Sequence, residues 1–153
     1  MSNQFTIITD SREQLPLQFP GYDISIAKLD TGDYTIQGYE NILCIERKGS
    51  LAEIYKNFTE KRFWAELVRM APFKHKFLVI ECTFNDIAAI PYSLGLPKSA
   101  WSQLKLTPQY ITKCVGDIQI KYGVDVIFAG DRDTASDIII NIMKRVTEHE
   151  SRP

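Results

Sequence analysis

From residue 50 onward the spacing of apolar residues changes repeatedly, and that alternation constrains the fold more than any other feature of the chain. Leu51, Ile54, Tyr55 and Phe58 fall on one helical face, and Ser50 with Glu53 has the spacing of a capping box at its start. Phe63, Trp64, Leu67 and Val68 repeat at helical spacing until Pro72. Lys76 to Cys82 then reads as a strand. Thr107 followed by Pro108 starts a helix, because proline is tolerated at the first helical position. Ile111, Cys114, Val115 and Ile118 line one face of it, and Gly123 stops it. Val124 to Ala129 reads as a buried strand. A last helix, with Asp133 as its expected cap, carries Ala135, Ile138, Ile139, Ile142 and Val146 on one side.

The first 50 residues have strand character instead. Phe5 to Thr9 and Ile42 to Ile45 are short runs rich in β-branched residues, and Tyr22, Ile24 and Ile26 alternate with the period of a half-buried strand. Leu15 to Gly21 holds two prolines and a glycine and reads as a loop. Between Phe84 and Leu106 the periodicity fades, and Pro91, Gly95 and Pro97 mark irregular structure. Strands followed by alternating helices and strands predict one α/β domain over residues 1–153, with a central mixed sheet flanked by α-helices.

A length of 153 residues suffices for a substantial core without disulfide or metal staples. No apolar run approaches the length of a membrane span, and the N-terminus MSNQFTIITD lacks the basic and apolar regions of a secretion signal. An intracellular protein with no membrane partner is expected. The three cysteines, Cys44, Cys82 and Cys114, all fall in apolar contexts and read as buried thiols. His75 and His149 sit in polar surroundings near element ends and read as surface residues. A net charge of −1 argues against coating nucleic acid by bulk charge, though not against a few basic residues beside an acidic site.

Chemistry-bearing residues concentrate between Asp10 and Lys48. Asp10 ends the first strand in TDSRE. Asp33 lies in TGDY, where Gly32 permits a tight turn into a strand. Glu46 and Lys48 sit in ERK, at the end of the apolar strand Ile42 to Ile45. Residues two apart on a strand share a face, so Glu46 and Lys48 project together and Arg47 points away. The pair is expected to extend beyond the buried part of its strand. Two carboxylates and a backbone carbonyl offer hard oxygen ligands suited to magnesium. A metal so held polarises a phosphodiester and lowers the pKa of a bound water, while a neighbouring lysine orients that water and offsets developing charge. An acid, twelve residues, then acid-x-lysine is the pattern of the PD-(D/E)xK nucleases, whose fold is restriction-endonuclease-like.

The strings TDSRE, TGDY and CIERKGSLAEIY, in that order, resemble the nuclease domain of the XPF-type structure-specific endonucleases. The likeness extends to Arg62 in KRFWAEL, to Glu81 in FLVIE and to the closing segment GVDVIFAGDRDTASDIIINI, and is poorest over Phe84 to Leu106. It implies a DNA endonuclease in which Asp33 and Glu46 hold Mg2+, or Mn2+ in its place, with the Arg47 carbonyl. Lys48 would position water, Asp10 would stand near the metal, Arg47 would line the site, and Arg12, Glu13 and Glu81 would support it. Branched DNA such as flaps and forks is the implied substrate. Lys56, Lys61, Arg62 and Arg69, with Lys74 and Lys76 beyond them, are candidate phosphate contacts. Trp101 and Tyr110 could stack on bases, although core packing is the stronger expectation for both.

Relatives of this type commonly add a tandem helix-hairpin-helix domain, which these residues do not contain, so a free-standing nuclease domain is expected. A homodimer, or a larger repair or recombination partner, would suit the resemblance. Two rivals stand beside this reading. A catalytically inactive DNA-binding or scaffold subunit is disfavoured by the presence of Asp33, Glu46 and Lys48. A phosphohydrolase acting on nucleotides would be separated by turnover of nucleotides without DNA cleavage.

Overall fold

A computed structural model describes residues 4–104 and 107–152. Residues 1–3, within the N-terminal stretch read for a signal, and residues 105–106, at the end of the irregular stretch, lie outside the described residues. Six strands form one mixed sheet: β1 (Thr6–Asp10), β2 (Asp23–Ala27), β3 (Tyr34–Ile36), β4 (Leu43–Lys48), β5 (His75–Ile80) and β6 (Asp125–Phe128). Their spatial order is β2-β1-β3-β4-β5-β6. Strand β3 is antiparallel to both its neighbours, while β1/β2, β4/β5 and β5/β6 are parallel. The parallel pairs need crossovers, and helices supply most of them: α1 (Leu51–Asn57) and α2 (Lys61–Met70) between β4 and β5, then α3 (Phe84–Ala88) and α4 (Pro108–Tyr122) between β5 and β6. The chain closes with α5 (Arg132–Glu150).

Strand alternation divides the core into two layers. Leu43 and Ile45 of β4 join Ile7, Tyr34, Val79, Ala135, Ile139 and Met143 on the α5 side. Cys44 faces the other way, into a cluster with Ile54, Phe58, Phe63, Leu67, Leu78, Ile80 and Ile118 beneath α1, α2 and α4. Phe58 and Phe63 are almost wholly buried, with ring centroids 5.4 Å apart. Burial of each such side chain contributes roughly 1.5–3 kcal/mol, so this cluster fixes the ends of α1 and α2 against β4.

Local chemistry explains most boundaries. The Ser50 hydroxyl accepts the Glu53 N–H at the start of α1, but the Glu53 carboxylate accepts the Gly49 N–H and not that of Ser50. The expected capping box is therefore displaced by one residue on its return arm. Thr107 and Pro108 start α4 and Gly123, at φ +67°, ends it, as the sequence predicts. The last helix differs: Asp131, not Asp133, accepts the Thr134 N–H and caps α5. Asp133 sits inside the first turn, where its charge complements the helix dipole.

Other departures concern exposure. Strand β2 lies at the sheet edge, and Ile24 and Ile26 are 45% and 72% exposed, so their alternation marks an open strand. Val68 is exposed on α2 although its spacing matched the apolar face. The stretch after β5 is more regular than its composition suggests: Thr83 makes a reciprocal capping box with Asp86 for α3, and two 3-10 segments follow. No helix among the described residues is long and apolar enough to cross a membrane.

Candidate active site

Three strand ends converge through backbone hydrogen bonds that tie the acidic residues together. The Asp10 N–H donates to the Asp33 carbonyl at 2.8 Å, and the Asp33 N–H donates to the Ile45 carbonyl at 2.8 Å. The Arg47 N–H then donates to Asp33 Oδ2, also at 2.8 Å. Gly32 makes this turn at φ +86°, a conformation that side chains disfavour. Beyond Ile45, β4 runs past its pairing with β3, and this leaves a gap at the sheet end. Asp10, Asp33 and Glu46 border a polar cavity there of about 230 Å³, with Asp30, Glu66 and Arg69 among its other walls.

Alternation along β4 works as its sequence predicts. Glu46 and Lys48 share the α1/α2 face, and Lys48 Nζ stands 3.6 Å from Glu46 Oε1. The depth is different from expectation. Glu46 and Lys48 are only 8% and 7% exposed, because α2 folds over the strand end. Lys48 Nζ lies 5.4 Å from the Phe63 ring centroid, so its stem is packed and its charge is stabilised by the ring face.

Burial sets the electrostatics. It pushes the Asp33 carboxyl up to about 6, helped by the Glu13 charge and opposed by the Arg47 N–H, Glu46 and Lys48. Glu46 is pushed well above the usual carboxylate range by burial and then by Asp33, against the pull of Lys48. Asp10 behaves oppositely. Burial raises it, but the Leu29 N–H, at 2.9 Å, and the two-pronged Arg12 guanidinium outweigh that and hold it low. Arg12 is itself anchored by the Leu29 carbonyl at 2.6 Å.

This donor set fits a hard divalent cation. Asp33 and Glu46 are within hydrogen-bonding reach of each other, and as metal-free groups they compete for protons because one lysine does not neutralise them. A divalent cation between them would remove that conflict, and oxygen-only ligands suit magnesium or manganese. The Lys48 carbonyl accepts the Glu81 N–H on the β5 side. By strand alternation the Arg47 carbonyl points to the opposite edge, towards Asp33.

The Arg47 side chain lies on the other face of the sheet, with Glu81. It pairs with the Glu81 carboxylate, with Glu13 at 3.4 Å, and with the Leu15 carbonyl at 2.8 Å. Arg132 of α5 donates to the same Leu15 carbonyl and to that of Pro16. These guanidinium groups fasten the loop that follows Asp10. The arrangement borders a second polar cavity, of about 520 Å³. Arg47 thus joins the acidic residues through its backbone N–H on Asp33, and its side chain borders the second cavity with Glu13 and Glu81.

Of the basic residues on α1 and α2, Lys56, Lys61, Arg62 and Arg69 are all exposed, and Arg69 borders the acidic cavity. Arg62 pairs with Glu60 at 3.2 Å. Lys74 and Lys76 do not join them. They flank the N-terminal end of β5, where Lys74 pairs with Glu150 and Lys76 donates to the Ala71 and Phe73 carbonyls. Register puts that end beside Leu43, a full strand length from Lys48. Tyr110 is 39% exposed and Trp101 packs edge-on against Tyr92 in the surface segment after α3, so neither belongs to the main core. The cavity residues that sequence reading missed are Asp30 and Glu66. Arg62, Glu66 and Arg69 recur at i, i+4 and i+7, a helical face that could have been joined to the acidic motif.

Comparison with known proteins supports the same architecture. XPF from Aeropyrum pernix superposes with a TM-score of 0.70 at 17% identity, covering 93% of this chain and 65% of that one. XPF from the same organism in complex with DNA gives a TM-score of 0.69 at 16% identity, covering 98% of this chain and 68% of that one. This chain therefore spans about two thirds of the archaeal protein. Comparison with curated protein sequences gives no match. A family profile matches residues 6–142, which include every strand and every acidic residue of the cavity, and by that match the chain belongs to the ERCC4 domain family, a family of nuclease domains.

Proposed function

We propose that this domain is a magnesium-dependent DNA endonuclease that hydrolyses phosphodiester bonds, with branched DNA such as flaps or forks as its substrate. The observation that carries the reading is the convergence of Asp10, Asp33 and Glu46 on one polar cavity, with Lys48 beside Glu46. Magnesium, or manganese in its place, held by Asp33, Glu46 and the Arg47 carbonyl would supply Lewis acidity towards the phosphate and its attacking water.

The protein's own groups do the rest. Lys48, immobilised over Phe63, places a positive charge where the phosphorane charge builds and donates to the attacking water. Asp10 stays ionised because Arg12 and the Leu29 N–H hold it so, and it orients solvent on the β1 side of the cavity. Arg69 at the rim and the exposed Lys61 and Arg62 on the same helix contact backbone phosphates. Lys56 at the end of α1 extends this basic edge. Self-association, or docking to a repair or recombination partner, would supply the remaining grip on DNA.

The test is cleavage of labelled 3′-flap, fork and plain duplex DNA with magnesium or EDTA, using wild type beside Asp33→Asn. Magnesium-dependent cutting that Asp33→Asn loses is the expected result. Equal cutting of all three substrates would overturn the branch preference alone. DNA binding without cutting would assign the domain to a subunit that lacks catalysis of its own.

A further inference from the structure

A second cluster of ligating side chains lies at the far end of the sheet. His75 opens β5, and His149 and Glu150 close α5. One ligand atom from each of the three lies within 4.8 Å of the others. His75 Nε2 and Glu150 Oε2 are 2.9 Å apart, and the two imidazole rings meet edge-on with centroids 5.7 Å apart. We propose that His75, His149 and Glu150 form a binding site for a borderline divalent transition metal of the zinc class, which fastens the end of α5 to the start of β5.

The ligand chemistry favours that class. Two imidazoles and one carboxylate are a three-ligand zinc set, with a fourth position left for water. Nitrogen donors disfavour magnesium and calcium, which take oxygen ligands, so this site and the acidic cavity would select different ions. The 2.9 Å contact between His75 and Glu150 is bridged by a proton when no metal is present, and a metal would replace that proton. The three ligand atoms already lie within 4.8 Å of one another, and side-chain rotation would draw them onto one ion.

The backbone is prepared on the strand side. The His75 N–H donates to the Ile42 carbonyl at 2.9 Å, so the residue is held in the sheet. Glu150 is kept ionised at about 2 by Lys74 and His75. Lys74, at 2.7 Å from Glu150, is the competitor for the carboxylate. Its side chain is 58% exposed and free to swing into solvent, and an ion pair of that exposure is weak. Arg145, near by on α5, is engaged with Glu148.

Position separates this site from the nuclease chemistry. His75 is in register with Leu43, whereas Lys48 is in register with Ile80 at the other end of the same strands. A metal at His75 would act on stability. It joins residues far apart in sequence, and binding only the folded state raises the melting temperature by mass action.

The experiment is calorimetric titration of Zn2+ into the metal-free protein, paired with thermal melts and with the visible spectrum after Co2+ loading. Wild type and Asp33→Asn should each bind one equivalent at the histidine site, and a hundredfold excess of free Zn2+ over its dissociation constant should raise the melting temperature by several degrees. His149→Ala, at an exposed helix end where the fold has little to lose, should lose that equivalent, the melting shift and the tetrahedral Co2+ spectrum. His75→Gln should do the same. Zinc binding that survives both histidine variants, or that disappears in Asp33→Asn alone, would overturn the proposal and place the ion in the acidic cavity. Absence of binding to wild type would overturn it outright.

Discussion

The Arg47 backbone N–H donates to Asp33 Oδ2 at 2.8 Å while the Arg47 side chain binds Glu81 on the opposite face of the sheet. One residue therefore anchors the acidic site through its main chain and the loop behind it through its guanidinium.

Asp33 should destabilise the metal-free domain. Burial pushes its carboxyl up to about 6 in the folded state, from 3.8, so the folded state holds its proton more tightly. Stability from this group is full below about pH 4 and is lost as pH rises through about 6. A shift of that size corresponds to on the order of 2–3 kcal/mol. Asn keeps an oxygen for the Arg47 N–H and offers an N–H to Glu46. Without divalent ions, Asp33→Asn should melt several degrees above wild type at pH 7.5 and at about the wild-type temperature at pH 4. Magnesium should raise only the wild-type melting temperature, and cleavage should vanish in the variant. Melts that show no pH-dependent gap would contradict the assignment.

Lys48 should matter for rate more than for folding if its stem is retained. Lys48→Met keeps an apolar chain over Phe63 and deletes the charge. Cleavage should fall by roughly 10²–10³, the scale for losing one donor to developing charge. Magnesium affinity should persist or rise, since a competing cation has left Glu46. Lys48→Ala should also lose packing, because the side chain is buried. Rates measured at saturating magnesium and DNA distinguish the two effects. Wild-type turnover by Lys48→Met would remove Lys48 from the mechanism.

How much of this was legible in the sequence depends on the range of the interaction. Period-two alternation placed Glu46 with Lys48 and turned Arg47 away, because that depends only on the strand itself. Gly32 marked the turn at Asp33 for the same local reason. Depth was not legible: Lys48 is buried by Phe63, fifteen residues on, through the packing of α2. Glu66 shares a helical face with Arg62 and Arg69, a signal that was legible, but spacing alone does not show whether a polar face meets solvent or a cavity. Ile24 and Ile26 misled for a related reason, since alternation shows a strand's faces but not whether anything covers them. The pairing of His75 with Glu150 joins residues 75 positions apart and has no sequence signal.

The Arg47–Glu81 pair should behave as a buried ion pair whose halves are costly apart. Both side chains are less than a tenth exposed. Arg47→Ala leaves Glu81 and Glu13 facing each other unpaired and should cost about 3–5 kcal/mol in urea denaturation. Arg47→Ala with Glu81→Ala should recover at least about 1 kcal/mol of that loss, a coupling read from the double-mutant cycle. A role confined to structure predicts that the double variant regains magnesium binding with the fold. Additive losses would show that the two side chains do not interact.

Gly32→Ala should damage fold and site together. A Cβ at position 32 would lie 2.6 Å from Cys44 Sγ and 3.3 Å from the Ile45 carbonyl, in backbone at φ +86°. The left-handed conformation costs about 1–2 kcal/mol for a side chain. Overpacking against the fully buried Cys44 adds about 1–3 kcal/mol, since dense cores yield little. The variant should therefore lose about 2–5 kcal/mol. The same displacement would move the Asp33 N–H away from Ile45 and weaken magnesium binding. Cys44→Ala removes the sulfur and should rescue Gly32→Ala in part, leaving the backbone strain. If the double variant is no more stable than Gly32→Ala, after allowing for the cost of Cys44→Ala alone, the clash with sulfur is not the cause and strain at φ +86° carries the whole effect.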